Sequence, residues 1–419
     1  MIVAFYFNLE NMIIGQTQQK KKQWPSLQVP YKSLKVQLVT EGLSFPTSME
    51  FIDNNNILVL QKNDGTVHLV SNGILQKKPV LKVQVETNGE RGLLGITHSG
   101  KDIVFLYFTE SDHDKPLRNK IYRYHWNGTN LVNHTLILDL PTAPGPYHQG
   151  GKLKIGADNY LYAVIGDLTA PDGLLQNNKD GKKPNDTSVI LRVNPDNGSS
   201  VNNNPFYNNS NNYNDKDNVK NLLSRYYAYG IRNSFGLAID PITNMLWDTE
   251  NGPSEYDEVN LVRPGFNSGW ETVMGPISLS GGNEDELVNF PGSHYADPLF
   301  SWKITPAITD IEFLHSSKLG DKYTNNIFVG DNNNGNVYYF EVNEDRTGLK
   351  FDASQTGLTD LVVDDEEELS AIIFGSGFGS ITDIATDPDG FLYILSFDDG
   401  VIYKISPLSN NQIAASVGS

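Results

Sequence analysis

One phrase recurs along this chain: an alternating apolar strand, a polar turn, then a second strand rich in Leu, Tyr, Phe or Val. Copies occupy residues 48–70, 92–110 with a further strand from 120, 150–167 with one from 189, 235–252 with one from 257, 308–342, and 381–406. Period-2 alternation punctuated by Asn, Asp and Gly is the pattern of hairpin-linked strands. Six copies predict an all-β fold, a six-bladed β-propeller whose blades close into a ring and protect their edges. A pair of β-sandwiches would explain the alternation but not six similar phrases. The Trp-Asp and Gly-His marks of the commonest propeller repeat are absent. Insertions at about 168–187, 197–221 and 275–297 are rich in Asn, Gly, Pro and Ser. They predict long loops on one face, near the mouth of a central channel.

Composition narrows the partners. The 419 residues carry a formal net charge of −18, a field that repels nucleic-acid backbones and anionic lipid surfaces. The chain has no cysteine, which excludes thiol catalysis, disulfides and thiolate metal sites. No apolar run reaches the roughly 18 residues of a membrane helix. Residues 1–30 read as an N-terminal extension, compatible with the end of a signal segment whose native start lies upstream of Met1. Residues 31–410 read as the propeller and 411–419 as a tail. Sequons at Asn127, Asn133, Asn185 and Asn208 point to an extracellular or cell-envelope location, although an Asn-rich chain also makes sequons by chance.

A few residues have the types and positions that chemistry needs. His148 stands before Gly150 and Gly151 at the start of a repeat strand, where an imidazole can project into a channel as a general base. The plainer alternative is a turn histidine bonded to a carbonyl. Asp167 ends the facing strand and could orient that imidazole. Arg232 and Asn233 open the fourth repeat, and Arg offers a fixed fork for an anion or developing oxyanion. The turn Glu250-Asn251-Gly252-Pro253, followed by Asp257 and Glu258, combines carbonyls and carboxylates, the ligands of a hard cation such as Ca²⁺. The run 364–368 reads as a solvated acidic loop.

Taken together, these phrases resemble the soluble pyrroloquinoline-quinone (PQQ)-dependent sugar dehydrogenases, the glucose/sorbosone dehydrogenase family. The resemblance runs from about residue 43 to 405. It rests on Leu43-Ser-Phe-Pro-Thr-Ser-Met49, Glu90-Arg-Gly-Leu-Leu-Gly95, His148-Gln-Gly-Gly151, Gly166-Asp167, Gly230-Ile-Arg-Asn233, Glu250-Asn-Gly-Pro253, Asp257-Glu-Val-Asn-Leu261 and Gly269-Trp270. It implies a six-bladed propeller that oxidises the C1 hydroxyl of an aldose to a lactone with PQQ and calcium. His148 would then be the base and Asp167 its partner. Arg232 and Asn233 would contact the quinone, and the carbonyls of Gly252 and Pro253 would hold its Ca²⁺. Asn251 and Asp257 would serve a second, structural calcium. Glu90 would lie near substrate and Trp302 would cover the cofactor plane. A sugar substrate and an electron acceptor, which the sequence does not identify, would be the partners.

The chain also departs from the family pattern. A family Lys in the fifth blade is missing from residues 330–335, and two family Arg in the sixth are Ser380 and Thr382. Those cations pair with the cofactor's carboxylates, and a charge-assisted hydrogen bond is worth about 1.5–3 kcal/mol. Lys303, Lys179, Lys182 and Lys183 are the candidates to compensate. The departures keep open a calcium-binding extracellular propeller with a sugar cleft and no redox activity. A lactonase-like hydrolase would need a ring of channel carboxylates that the sequence does not show.

Overall fold

The computed structural model describes residues 24–409 except 29, 30, 32, 101, 113, 171 and 208–221. Each of the six recurrent phrases forms its own sheet, with antiparallel pairing between its leading strands. The sheets are led by β1 (Pro46–Phe51), β2 (Leu93–Ser99), β3 (Leu153–Ile155), β4 (Ser234–Ile239), β5 (Ile308–Leu314) and β6 (Ile381–Thr386). Each of these strands packs against the next, and β6 packs against β1, so the six close a ring. The fold is an all-β propeller.

Burial explains the pattern. The strands that follow the inner ones, such as Leu161–Ile165 and Leu392–Ser396, are buried throughout, because neighbouring sheets cover both faces. Met49 and Val59 of the first sheet pack with Tyr393, Leu395 and Ile402 of the sixth. Tyr162 and Val164 of the third meet Leu237 and Leu246 of the fourth.

The sixth sheet is completed by the other end of the chain. Leu34–Glu41 pairs antiparallel with Val401–Pro407. Upstream of it, Ser26–Leu27 joins the fifth sheet beside Ser376 and Gly375. This pair lies within the stretch expected as an extension. Gly375 makes room for it, since a Cβ there would stand 2.9 Å from Leu27 Cδ2. Residues 1–23 and 410–419 lie outside the described residues.

One buried ion cluster ties the inner strands together. Lys152 Nζ lies 2.7 Å from both Asp310 Oδ2 and Asp383 Oδ1. Asp383 Oδ2 accepts from Ser48 Oγ at 2.8 Å and from the Met49 amide at 2.6 Å. Losing the ammonium would strand two buried carboxylates, at a cost of roughly 3–5 kcal/mol. The expected acidic loop at 364–368 is instead the start of a helix, Glu366–Ile372. Asp365 caps it by accepting the amides of Glu367 and Glu368.

Candidate active site

The residues leading into the inner strands gather at one end of the ring, and two of these approaches meet at Gly166. A Cβ at Gly166 would stand 2.6 Å from the His148 carbonyl oxygen and 2.5 Å from that of Arg232. Only glycine allows the two backbones to approach so closely. Asp167, the next residue, donates its amide to Arg232 O at 2.9 Å. His148 itself has φ +59, and Gly150 and Gly151 behind it also have positive φ.

Asp167 is buried, and its two oxygens hold two aromatic rings. Oδ1 lies 2.6 Å from His148 Nδ1 and also accepts the Thr169 amide at 2.7 Å. Oδ2 accepts from Trp270 Nε1 at 2.8 Å. Asp167 thereby keeps the proton on His148 Nδ1, which leaves Nε2 as the basic nitrogen. The Arg232 guanidinium lies over the Trp270 ring, 5.3 Å from its centroid.

Glu90 closes the other side. Its Oε2 accepts the Gln149 amide at 3.0 Å, and Asn233 Nδ2 stands 3.3–3.4 Å from its two oxygens. Burial raises the Glu90 pKa while nearby His148 pulls it down. Lys62, unremarked in the sequence, adjoins this carboxylate with its Nζ 2.9 Å from Gly89 O. Arg232 is anchored from the fourth sheet. Its amide donates to Glu250 Oε1 at 2.6 Å and its NH1 to Asn251 O at 2.8 Å. Its Nε is buried without a partner among the described residues, a donor available to a ligand oxygen.

The 250–258 turn offers oxygen ligands. A Cβ at Gly252 would stand 2.1 Å from Glu255 O and 2.6 Å from Tyr256 O, so carbonyls crowd this turn. Both oxygens of Asp257 accept backbone amides. Oδ1 accepts the Gly252 amide at 2.9 Å, and Oδ2 accepts those of Ala307 at 2.7 Å and Ile308 at 3.2 Å. Expected as a metal ligand, it also holds the turn in shape through these amides. The Asn251 side chain donates its Nδ2 to Ile308 O at 2.8 Å. Beneath the turn lie the buried carboxylates of Asp248, Glu250 and Glu258. Burial lifts Glu250 to about 7 and Asp257 to about 6, and lifts Asp248 and Glu258 well above the carboxylate range. A set of carbonyls above buried acids suits a hard divalent cation.

The sequence profile of the Glucose / Sorbosone dehydrogenase family matches residues 43–404. The chain belongs to this family. An aldose sugar dehydrogenase, YliI, of Escherichia coli K12 is 25% identical over 385 residues, 90% of this chain and 93% of that one. The apo-form crystal structure of the soluble aldose sugar dehydrogenase from E. coli superposes with a TM-score of 0.68 at 22% identity, covering 90% of this chain and all of that one. The PQQ-bound aldose sugar dehydrogenase of Streptomyces coelicolor gives 0.64 at 21%, covering 91% and 99%.

The structure brings together His148, Asp167, Arg232, Asn233 and Glu90, with Asn251 and Gly252 beside them. It does not bring Trp302 there. Trp302 is 1% exposed and packs in the core against Phe300, Tyr338 and Phe340. Phe300 and Trp302 share one face of a strand, and that face turns inward. The aromatic at the site is Trp270, whose phrase was legible but whose role was not. At Ser380 and Thr382, where the family pattern has cations, the side chains are uncharged hydroxyls. Ser380 Oγ donates to Asp398 Oδ2 at 2.6 Å, and Thr382 Oγ1 to Pro46 O at 2.9 Å. Two candidate compensating lysines are engaged elsewhere, Lys179 on Asp285 O and Lys182 on Asp172.

Proposed function

We propose that this protein oxidises the C1 hydroxyl of an aldose to a lactone using PQQ and Ca²⁺, on a ring in which each of the six sheets is one blade. The observation that carries the reading is the His148–Asp167 pair beside Arg232. Arg232 and Asn233 would hold the quinone oxygens, and the carbonyls of Gly252 and Pro253 would hold the calcium. When bound, the quinone supplies a hydride acceptor and calcium makes it more electrophilic.

The chain's own residues supply the proton chemistry. His148 Nε2 takes the hydroxyl proton as the C1 hydrogen leaves with its electron pair. Asp167 fixes the imidazole and stabilises the imidazolium that forms. Trp270 keeps the second Asp167 oxygen occupied, so the carboxylate cannot rotate away. Glu90 adds negative charge on the far side of His148. An extracellular or cell-envelope location is part of the proposal, supported by exposed sequons at Asn127, Asn133 and Asn185.

The uncharged Ser380 and Thr382 favour one second reading, a calcium-binding propeller that keeps a sugar cleft without redox activity. Titration of calcium-loaded protein with PQQ separates the two. A bound-quinone absorption band, with aldose-dependent reduction of an artificial electron acceptor, supports the dehydrogenase. Neither signal at saturating quinone would leave the second reading.

A further inference from the structure

Six Asn-Gly steps punctuate the chain, at Asn72, Asn88, Asn127, Asn197, Asn251 and Asn334. Such a step can modify itself, because glycine has no Cβ to shield its nitrogen. That nitrogen loses its proton and attacks the asparagine Cγ, and ammonia leaves as a succinimide ring closes. Water then opens the ring to aspartate or, at the other carbonyl, to isoaspartate, which carries an extra methylene in the backbone. The reaction needs a free glycine N–H, a side-chain carbonyl that can take up negative charge, and room to close the ring. The six steps meet these needs unequally.

Asn127 meets all three. It is exposed, and its Oδ1 accepts the amides of Thr129 at 3.0 Å and Asn130 at 2.8 Å. Two donors on the oxygen where charge develops act as a small oxyanion hole. The Gly128 amide has no partner among the described residues, and a Cβ at Gly128 would meet nothing within 4 Å. Gly89 is more confined, since a Cβ there would stand 2.8 Å from Pro146 O.

At the mouth of the ring the reaction is blocked. The Gly252 amide donates to Asp257 Oδ1 at 2.9 Å, and the Gly335 amide to Asp331 Oδ1 at 2.7 Å. Both carboxylates are fully buried. A carboxylate on the N–H occupies it and opposes the negative nitrogen that attack requires. Asn251 is also where the change would do harm. Its carbonyl accepts from Arg232 NH1 at 2.8 Å, and an added methylene would move that anchor.

We propose that Asn127 is a self-modification site of the folded protein, converting to aspartate and isoaspartate, while Asp257 and Asp331 keep the Asn-Gly steps at the mouth inert. The conversion adds a negative charge, and removes a sequon, at the turn before the edge strand Leu131–Leu140. None of this depends on the dehydrogenase reading.

The test holds the folded protein in mildly alkaline buffer and maps aspartate and isoaspartate at all six steps over time by mass spectrometry of its peptides. The same chain kept unfolded in denaturant gives each step its reference rate. Asn127 should convert in the folded protein at its unfolded rate or faster. Asn251 and Asn334 should fall about tenfold or more below theirs, the worth of a charge-assisted hydrogen bond. Asp331→Asn should speed conversion of Asn334 and leave Asn197 unchanged, because the Gly198 amide is held by Asn194 O instead. Asn127 slowed as much as the mouth steps, or mouth steps converting at their unfolded rate, would overturn the proposal without any variant. In Asp331→Asn, acceleration at both Asn334 and Asn197, or at neither, would remove the protecting role of the carboxylate.

Discussion

Asp167 Oδ1 stands 2.6 Å from His148 Nδ1 while Trp270 secures the opposite oxygen at 2.8 Å, so one carboxylate fixes two rings. Asp167→Asn should present an amide that favours the wrong imidazole tautomer, and kcat should fall by roughly 10²–10⁴ with little change in quinone binding. Trp270→Phe removes only the hydrogen bond to Asp167 and should give a smaller loss. Steady-state kinetics with saturating quinone checks both, and a larger loss for Trp270→Phe than for Asp167→Asn would contradict the assignment of roles.

Asp257 accepts three backbone amides, so Asp257→Asn should destabilise the protein whether or not metal is present. The asparagine amide would face N–H donors, and the cost should be about 1–3 kcal/mol. Melting temperatures in calcium and in chelator test this. A drop seen only in calcium would mean that Asp257 is a direct ligand.

The raised acids give a pH dependence of definite sign. Burial lifts Glu250 to about 7 and Asp257 to about 6, so the folded chain holds protons that the unfolded chain releases near pH 4. Their penalty is absent below pH 4, grows between about 4 and 7, and is complete above 7. Chelated protein should therefore lose melting temperature from pH 5 to 7.5, and calcium, which favours the ionised forms, should restore more at 7.5 than at 5. A chelated protein that gains stability over that window would show that these carboxyls are not raised.

The uncharged Ser380 and Thr382 should limit quinone affinity. Ser380→Arg adds a cation where Ser380 now meets exposed Asp398, and should tighten PQQ binding by about tenfold. Thr382→Arg must also displace the contact with Pro46 O and should gain less. Calorimetric titration in calcium decides. Tight wild-type binding that neither arginine improves would mean another cation already serves the cofactor.

Much of this was legible in the sequence, for local reasons. Six phrases became six sheets because each phrase carries its own hairpins, as at residues 56–71, where the turn before Thr66 contains Asp64-Gly65. The cluster of His148, Asp167, Arg232, Asn233 and Glu90 followed from short motifs at strand ends. What could not be read depends on facing or on distant pairing. Trp302 sits two residues after Phe300, and alternation shows that they share a face without showing which. Asp257 suits calcium by type, but nothing local shows that its oxygens also meet amides 50 residues downstream. Nothing local to Lys152 indicates that Asp310 and Asp383 neutralise it.

The seam of the ring has a consequence for synthesis. Ser406 Oγ reaches Gln37, 369 residues earlier, across the strand pair that completes the sixth sheet. Among the described strands Leu34–Glu41 is made early, and its partner Val401–Pro407 is made last. Until that partner is made the early strand has an open hydrogen-bonding edge, a place where a second nascent chain could add instead. Its charged and polar positions, Lys35, Gln37 and Glu41, alternate with Leu34, Val36 and Leu38, and so serve a molecule that is still incomplete as well as the finished ring.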